Sequence, residues 1–441
     1  MEDFMSLRFS SRQAHREFVA AQAPLPRGFR AGATSLSFTS AESGKIAKMN
    51  ISLIALDKPS PDFAGMFTRN AFPGAPVKVG RKRLAESVLS AIVVNNKVSN
   101  VATPTGIADA QAICDAVGKA LGVDGNTVMP SSTGVIGWRL PTDQIIAGIP
   151  GAVASLQRDT IFPIAEAIMT TDLYPKVRSA QVGDGRIVAI AKGAGMIEPH
   201  LATMLVFILT DLQIPRDTLR AILPQAVDGS FNCLSVDSDT STSDTVLAVS
   251  SGLVPCPDVA AFESALTAVC SALAGDVVRN GEGVHHVIRI TVSNAPDREL
   301  ARRLGRAVVN SPLVKTAVLG NDPNVGRIAA ALGKQLGLDE AARSISTDRV
   351  RIAIGGQDVM VGGQFHLNGA IEKRLSALFK SAELYSSAPN AEGNFVPPID
   401  YPPHEDTVDI LVDLGSGTAE CTVLGADLSH EYVTENADYR S

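Results

Sequence analysis

A chain of 441 residues, 45% hydrophobic and only 19% charged, is long enough to bury a large core and too apolar for disorder to be its default state. A formal net charge of −7, a sequence pI near 5.6 and 5% aromatic residues leave no basic stripe and few stacking platforms for a nucleic acid. Five cysteines, odd in number, widely spread and never in a CxxC pair, point to reduced thiols in a reducing compartment rather than to a disulfide frame or a zinc site.

From the N-terminus, MEDFMSLRFSSRQAHREF carries Arg8, Arg12 and Arg16 with several serines, but Glu2, Asp3 and Glu17 do not suit an organelle transit peptide. It reads as a short extension of a cytoplasmic protein, with import into the mitochondrial matrix as the alternative. LAESVLSAIVVNN then leads into GIADAQAICDAVGKALGV, where Ala112, Ile113, Ala116, Val117 and Ala120 fall on one helical face. Further on, VIRITVSNA reads as a strand, PDRELARRLGRAVVN as a helix, and VRIAIGGQDVMVGGQ as two strands joined at a pair of glycines. SSAPNAEGNFVPPIDYPPHEDT is a surface loop before the strand TVDILVDLG, too well furnished with Phe395 and Tyr401 to be a free linker.

The alternation of strand and helix predicts an α/β or α+β class. No apolar run reaches the roughly 20 residues that span a bilayer without a Gly, Pro or charge, so no membrane is expected as a partner. No repeat or low-complexity tract divides the chain, and composition predicts no boundary at residue 202.

The segment AKGAGMIEPHLATMLVFILTD admits two readings. In the first, Gly193, Gly195 and Pro199 make a turn before a buried strand in which Thr203 is a β-former. In the second, a strained turn presents the Thr203 hydroxyl to the carbonyl of Ala202. An N-to-O acyl shift and hydrolysis then break the chain and leave Thr203 as an N-terminal nucleophile. A free α-amino group titrates at about 7.7–8.0, against about 10.4 for lysine, so it can act as base for its own hydroxyl. Attack on an amide also needs donors aimed at the developing oxyanion. MPSSTGVIGWRLP supplies a glycine turn in which the Thr133 hydroxyl and the Gly134 amide can serve; a plain loop is the other reading.

The ordered blocks PRGFRAGA, FTRNAFPGAPV, SSTGVIGWRLP, IMTTDLYPK, KGAGMIEPHLATML, SFNCLSVDSDTSTSDTVL, NGEGVHHVI, GNDPNVGRIAAALG and YVTENADYRS run nearly end to end. In them the chain resembles the ornithine acetyltransferase (glutamate N-acetyltransferase) family of self-cleaving enzymes. The resemblance implies a cut between Ala202 and Thr203, giving an alpha chain of residues 1–202 and a beta chain of residues 203–441. It implies a layered α/β/β/α sandwich whose two chains share a core, and an assembly of two copies of each. Thr203 is then the acyl carrier, and Thr133 with Gly134 the oxyanion hole. Substrate positions fall on Thr170, Lys192, Thr203, Glu282, Asn436 and Ser441. Lys192 and Thr170 can hold an α-carboxylate, and Glu282 the cationic end of an ornithine-like side chain. The implied substrates are amino acids and N-acyl amino acids, with neither cofactor nor metal required.

Other motifs point elsewhere. In VDSDTSTSDT, Asp237 and Asp239 are spaced like a phosphatase pair or the first ligands of a calcium loop, but Thr242 stands where a calcium loop needs glycine. Its Asp, Ser and Thr content fits a turn with many side-chain to backbone bonds. VDLGSGTAE resembles the phosphate-cradling turn of actin-like ATPases and sugar kinases, yet no second such turn lies near the N-terminus. A hydrolase that releases the same acyl-enzyme to water, like N-terminal-nucleophile aminopeptidases, differs only in the second half-reaction.

The chain also departs from the family pattern. GEGVHH replaces the usual GEGATK, setting His285 and His286 where threonine and lysine are common. Val325, Leu424 and Ala426 replace two tryptophans and a cysteine, VVNNKVSN replaces a glycine- and alanine-containing turn, and Ser441 ends the chain in place of threonine. A paralogue acting on a different amino acid is therefore the alternative to acetyl transfer from N-acetylornithine to glutamate.

Overall fold

Runs of β-branched residues become strands and Ala-rich stretches become helices. The computed structural model describes residues 7–198, 204–343 and 345–437. In chain order the elements are α1 (Arg12–Gln22), β1 (Phe29–Thr39), β2 (Ile46–Ser60), β3 (Phe63–Phe67), α2 (Ala75–Arg83), β4 (Leu89–Asn95), α3 (Gly106–Leu121), β5 (Val128–Ser132), α4 (Thr142–Ala154), α5 (Phe162–Ala167), β6 (Lys176–Val182), β7 (Gly185–Lys192) and β8 (Leu205–Leu212). They continue with α6 (Arg216–Gly229), β9 (Leu234–Ser235), β10 (Thr245–Val254), α7 (Val259–Arg279), β11 (Val287–Ala295), α8 (Arg298–Val309), α9 (Pro312–Leu319), α10 (Val325–Leu338), β12 (Arg351–Ile354), β13 (Gln357–Val361), β14 (Gln364–Phe365), α11 (Gly369–Ser381), β15 (Val408–Asp413), β16 (Ala419–Ala426) and α12 (His430–Ala437).

The chain divides into two compact units. One comprises Arg16–Asn232 and Thr240–Val277, the other Met1–His15, Cys233–Asp239 and Val278–Ser441. The first unit holds a four-stranded sheet in the order β1-β2-β4-β5 and a five-stranded sheet in the order β3-β10-β8-β7-β6. Leu53, Val93 and Ala91 on one face of the four-stranded sheet pack against Ile113, Val117, Ile145 and Ile149 of α3 and α4. Ile54, Ile92 and Val94 on its other face meet Ile190, Phe207, Leu209 and Leu247 of the five-stranded sheet. The far side of that second sheet carries α6, which packs on β3, and α7, whose Asp276 grips Arg178 of β6 with two bonds of 2.6 Å. This is the α/β/β/α layering that the resemblance implies.

One sequence expectation changes. Cys114 and Gly118 are buried on α3, while Ala112 and Ala116 are half-buried and Ala120 is exposed. The buried face is rotated because Gly118 packs on the backbone of Gly125, which leaves no room for a side chain. Helix α7, 21 residues long, is apolar enough by length and composition to cross a membrane, although Glu263, Gly275 and Asp276 interrupt its run as the sequence reading has it. Phe262, Leu266, Val269 and Leu273 form its buried face, whereas Ser264, Thr267 and Ser271 are exposed. It is an amphipathic core helix of this unit.

The second unit is built on a seven-stranded mixed sheet, β14-β13-β12-β15-β11-β16-β9. Ile288, Ile290, Ile352, Ile410, Val412 and Val423 face helices α8 to α11 in one apolar core. Side chains of Asp297, Ser311, Asn324 and Asn368 cap those four helices at their N-termini. The predicted hairpin is β12 and β13, turning at Gly355 and Gly356, and residues 386–407 form the predicted loop before β15.

Candidate active site

Strand β5 pairs in parallel with β4, and the chain beyond it stays in register with the turn that follows β4. The Thr133 N–H donates to Asn95 O (3.0 Å) and the Val135 N–H to Lys97 O (2.9 Å). Alternation along an extended backbone turns the Gly134 N–H the other way, and among the described residues it has no acceptor. Gly134 stands at φ 122°, and a Cβ there would lie 2.2 Å from the carbonyl carbon of Lys97, so only glycine fits. Lys97 itself is held at φ 70°. The Thr133 side chain, 9% exposed, makes no hydrogen bond to another described residue. A hydroxyl and an amide are thus left adjacent and unspent, as the sequence reading requires of an oxyanion site.

Two residues that the sequence reading did not single out frame this turn. The Asn95 side chain accepts from Ser132 Oγ (2.6 Å) and donates to Val98 O (2.8 Å). Asn96 Nδ2 donates to Ala167 O and Met169 O, both at 3.0 Å, tying the segment before Thr170 to the Gly134 turn. Asp172 continues the frame. Its Oδ2 accepts the Thr170 N–H (3.0 Å), and its Oδ1 accepts the Gly193 N–H (2.9 Å) and the Lys176 ammonium (2.6 Å). Thr133, Gly134, Thr170 and Lys192 therefore belong to one bonded scaffold. Lys192 ends β7 on the face that Val188 and Ile190 turn toward the inter-sheet core, and it pairs across the sheet with Leu205, the first residue of β8. Ala202 and Thr203 lie outside the described residues, as does Ser441. Strand β8, which starts two residues beyond Thr203, is buried along all eight of its residues.

Burial opposes the charge on Asp172, but Lys176 and Lys192 outweigh it and hold the carboxyl well below the usual carboxylate range. Lys176 does not mirror that shift. Complete burial, with Lys192 as a like charge nearby, lowers its pKa despite the carboxylate at 2.6 Å. A second acid was read only as part of a structural turn. Thr245 N donates to Met204 O (2.9 Å), which sets Asp244 beside the residue after the proposed nucleophile. Burial raises the Asp244 carboxyl well above its ordinary value, against hydrogen bonds from Ser241 and Thr68 and the charge of Lys192. Among the described residues its Oδ2 has no hydrogen-bond partner.

In the second unit, Glu282 and Asn436, 154 residues apart in sequence, meet directly: Asn436 Nδ2 donates to Glu282 Oε2 at 2.8 Å. The turn holding Glu282 is pressed against the start of α12. Gly283, at φ 64°, has Tyr432 N where a Cβ would stand 2.4 Å away, and Ser429 Oγ donates to Gly283 O (2.6 Å) while capping Tyr432 N. His285 and His286 are not at the surface but buried beside Asp427.

The other motifs are accounted for structurally. In VDSDTSTSDT, Thr240 Oγ1 donates to Glu198 O, and Asn70 Nδ2 and Thr68 Oγ1 donate to Thr240 O and Ser241 O, as expected of a turn rich in local bonds. In VDLGSGTAE, the Gly415 N–H is taken by Asp413 Oδ1, and Gly417 lies hard against the backbone of Ala295, which fills the space a phosphate would need.

Unspent donors and a lysine, framed around the head of a central strand in a two-sheet layered unit, are parts of a site for acyl transfer. The model of the ArgJ family matches residues 37–441, and the chain belongs to that family. It is 36% identical over 416 residues to the Arginine biosynthesis bifunctional protein ArgJ of Rhodococcoides fascians, covering 94% of each chain. It is 40% identical to the protein of the same name from Methylococcus capsulatus, covering 86% of this chain and 88% of the relative. A crystal structure of Arginine biosynthesis bifunctional protein argJ from Bacillus halodurans is 30% identical, with a TM-score of 0.44 over 53% of this chain and 98% of that one.

Proposed function

We propose that the protein is a glutamate N-acetyltransferase of arginine biosynthesis, moving the acetyl group of N2-acetyl-L-ornithine to L-glutamate through an ester on Thr203. The observation that carries this reading is the Gly134 amide, forced into place against Lys97 and, among the described residues, left without an acceptor beside the Thr133 hydroxyl. The names of the relatives, which place them in arginine biosynthesis, support the pathway.

The enzyme is made as a precursor. The Thr203 hydroxyl attacks the Ala202 carbonyl, the ester formed is hydrolysed, and chains of residues 1–202 and 203–441 result. In turnover, Thr203 Oγ attacks the acetyl carbonyl while the α-amino group of Thr203 takes its proton and passes it to the departing ornithine amine. Thr133 and Gly134 carry the oxyanion charge. Glutamate then enters, and its amine attacks the acetyl-threonine ester in the second half of a ping-pong cycle. Lys192 and Thr170 hold the α-carboxylate, and Glu282, Asn436 and Ser441 serve the amino-acid side chain. The active form is an assembly of two copies of each chain, in the cytoplasm.

Denaturing electrophoresis tests the first step. Active enzyme should run as two fragments and Thr203→Ala as one uncut, inactive chain; a single full-length band from active protein would overturn the mechanism. Offering N-acetylornithine with a panel of amino-acid acceptors tests the second. The replaced neighbours of Glu282 favour one rival, a paralogue serving another amino acid, which turnover with a different acceptor and none with glutamate would establish.

A further inference from the structure

His285 follows Glu282 by three residues and is 5% exposed. Its Nε2 lies 3.1 Å from Glu431 Oε2 and its Nδ1 3.9 Å from Glu383 Oε1. Its backbone N–H donates to Asp427 Oδ1 (3.0 Å), and its ring packs at 4.5 Å on the ring of Tyr385. The Nε2 hydrogen does not aim squarely at Glu431, so that contact is an ion pair rather than an aligned hydrogen bond. His286 stands beside it with Nδ1 2.8 Å from Asp427 Oδ2. Among the described residues, no His, Cys, Asp and Glu side chains converge as metal ligands, so this cluster is not a metal site.

Three carboxylates thus surround one imidazole. Glu383 also has Lys380, but Glu431, 3% exposed, has His285 as its one cationic partner among the described residues, beside the Ser387 and Ser429 hydroxyls. Burying a carboxylate without a cation is costly. Glu431 also sits in the first turn of α12, the helix that carries Asn436 to Glu282. The ion pair therefore ties the turn of Glu282 to the helix of Asn436 from the buried side, where a threonine and a lysine are usual in the family.

We propose that His285 is a positioning residue: its charged imidazole pins the first turn of α12 through Glu431 and so fixes Asn436 against Glu282. The inference rests on the reading of Glu282 and Asn436 as substrate-binding residues. Burial opposes the charge on His285, but contact with Glu431 and the charges of Asp427, Glu431 and Glu383 together raise its pKa above the ordinary 6.5. Burial likewise opposes the charge on Glu431, yet His285, the helix start and Ser429 bring it below 4.5. The pin is present between those two limits. It is lost as the pH rises through the raised value of His285, and again as the pH falls through the lowered value of Glu431. Tyr385 and Tyr432 stay neutral throughout, their pKa values raised chiefly by burial. Glu435, the other acid of α12, is raised by burial and by Glu282 and so adds little negative charge at the low end of that window.

Hydrogen exchange of residues 429–437, corrected for intrinsic rates and compared at about pH 6 and about pH 9, tests the pin without reference to turnover. Protection in the wild type should fall at the higher pH. His285→Gln should show low protection at both, and Glu431→Gln, which removes the need for a cation, equal protection at both. In turnover of N-acetylornithine, KM should rise about tenfold with pH in the wild type, and His285→Gln should give the high KM throughout, while the pH profile of kcat, set by the Thr203 α-amino group, should be the same in both. Equal protection in the wild type at both pH values, or a pH-dependent KM that survives in His285→Gln, overturns the proposal. If His285→Gln does not fold, Glu431→Gln decides. If no amino acid is acetylated the functional reading fails, and the exchange result still rules on the pin.

Discussion

Asp172 and Lys176 are both completely enclosed, four residues apart, with carboxylate and ammonium 2.6 Å from each other. The same carboxylate accepts the Thr170 and Gly193 amides, so the pair is a fixed post to which both flanks of the proposed carboxylate site are fastened.

Asp172→Asn leaves Lys176 buried without a countercharge and should cost about 3–5 kcal/mol. Thermal melting at neutral pH checks this. Since the pKa of Asp172 is lowered, its contribution is complete above the ordinary carboxylate range and fades only in strong acid, as the pH falls through that lowered value. The gap in melting temperature between wild type and variant should therefore be constant across neutral pH. Replacing both partners by apolar residues, Asp172→Leu with Lys176→Met, should recover much of the loss of stability but not of activity.

Lys97, exposed at φ 70°, holds a left-handed backbone position at a cost that glycine would not bear. Lys97→Gly should raise stability by about 0.5–1 kcal/mol, net of the extra chain entropy of glycine. Denaturant unfolding should show a higher midpoint with an unchanged slope; a lower midpoint would mean that the lysine side chain contributes something the backbone argument omits.

Gly134→Ala forces a Cβ into the Lys97 carbonyl, and Thr133→Val removes the hydroxyl with little change of shape. Each should lower kcat by about 10²–10³, the usual effect of losing one oxyanion donor. Both should also slow the conversion of the precursor into two fragments, which a time course on denaturing gels reads separately from turnover.

Of the five thiols, only Cys256 is not buried. Burial pushes Cys114 up to about 11 and Cys270 up to about 12, while the neighbouring Cys233, at 3.5 Å, and burial raise Cys421 further. Titration of the native protein with a thiol reagent should find one fast-reacting cysteine, lost in Cys256→Ser, and four more only on unfolding.

The sequence conveyed the elements well, because strand β8, helix α8 and the β12–β13 hairpin each carry their own local signal. It conveyed less where burial depends on partners. On α3, Cys114 and Gly118 turned inward in place of Ala120 because α3 packs on Gly125 as well as on the sheet. In α7, Ser264, Thr267 and Ser271 lie on the exposed side while Phe262, Leu266, Val269 and Leu273 face inward, a division that a linear scan for a membrane span does not see. In the site, the Thr133-Gly134 turn was legible from its glycine. Asp172 and Asn96 were not, because their importance lies in bonds to backbone groups far along the chain, such as Asn96 to Met169, 73 residues on. The meeting of Glu282 with Asn436 was likewise beyond local pattern.

Strands β7 and β8 are antiparallel neighbours matched over six register pairs, from Ile187 with Thr210 to Lys192 with Leu205. A break at Ala202–Thr203 would put one of these strands on each product while every one of those pairs stayed in place. The folded state would hardly register the event, but the unfolded state would. Before the break, denatured protein refolds as a single molecule at a rate indifferent to dilution; afterwards two separate polypeptides must find each other, and recovery becomes second order in concentration. Maturation would thus turn a reversible fold into one whose history matters, so that dilute, heated enzyme is lost while its uncut Thr203→Ala counterpart returns.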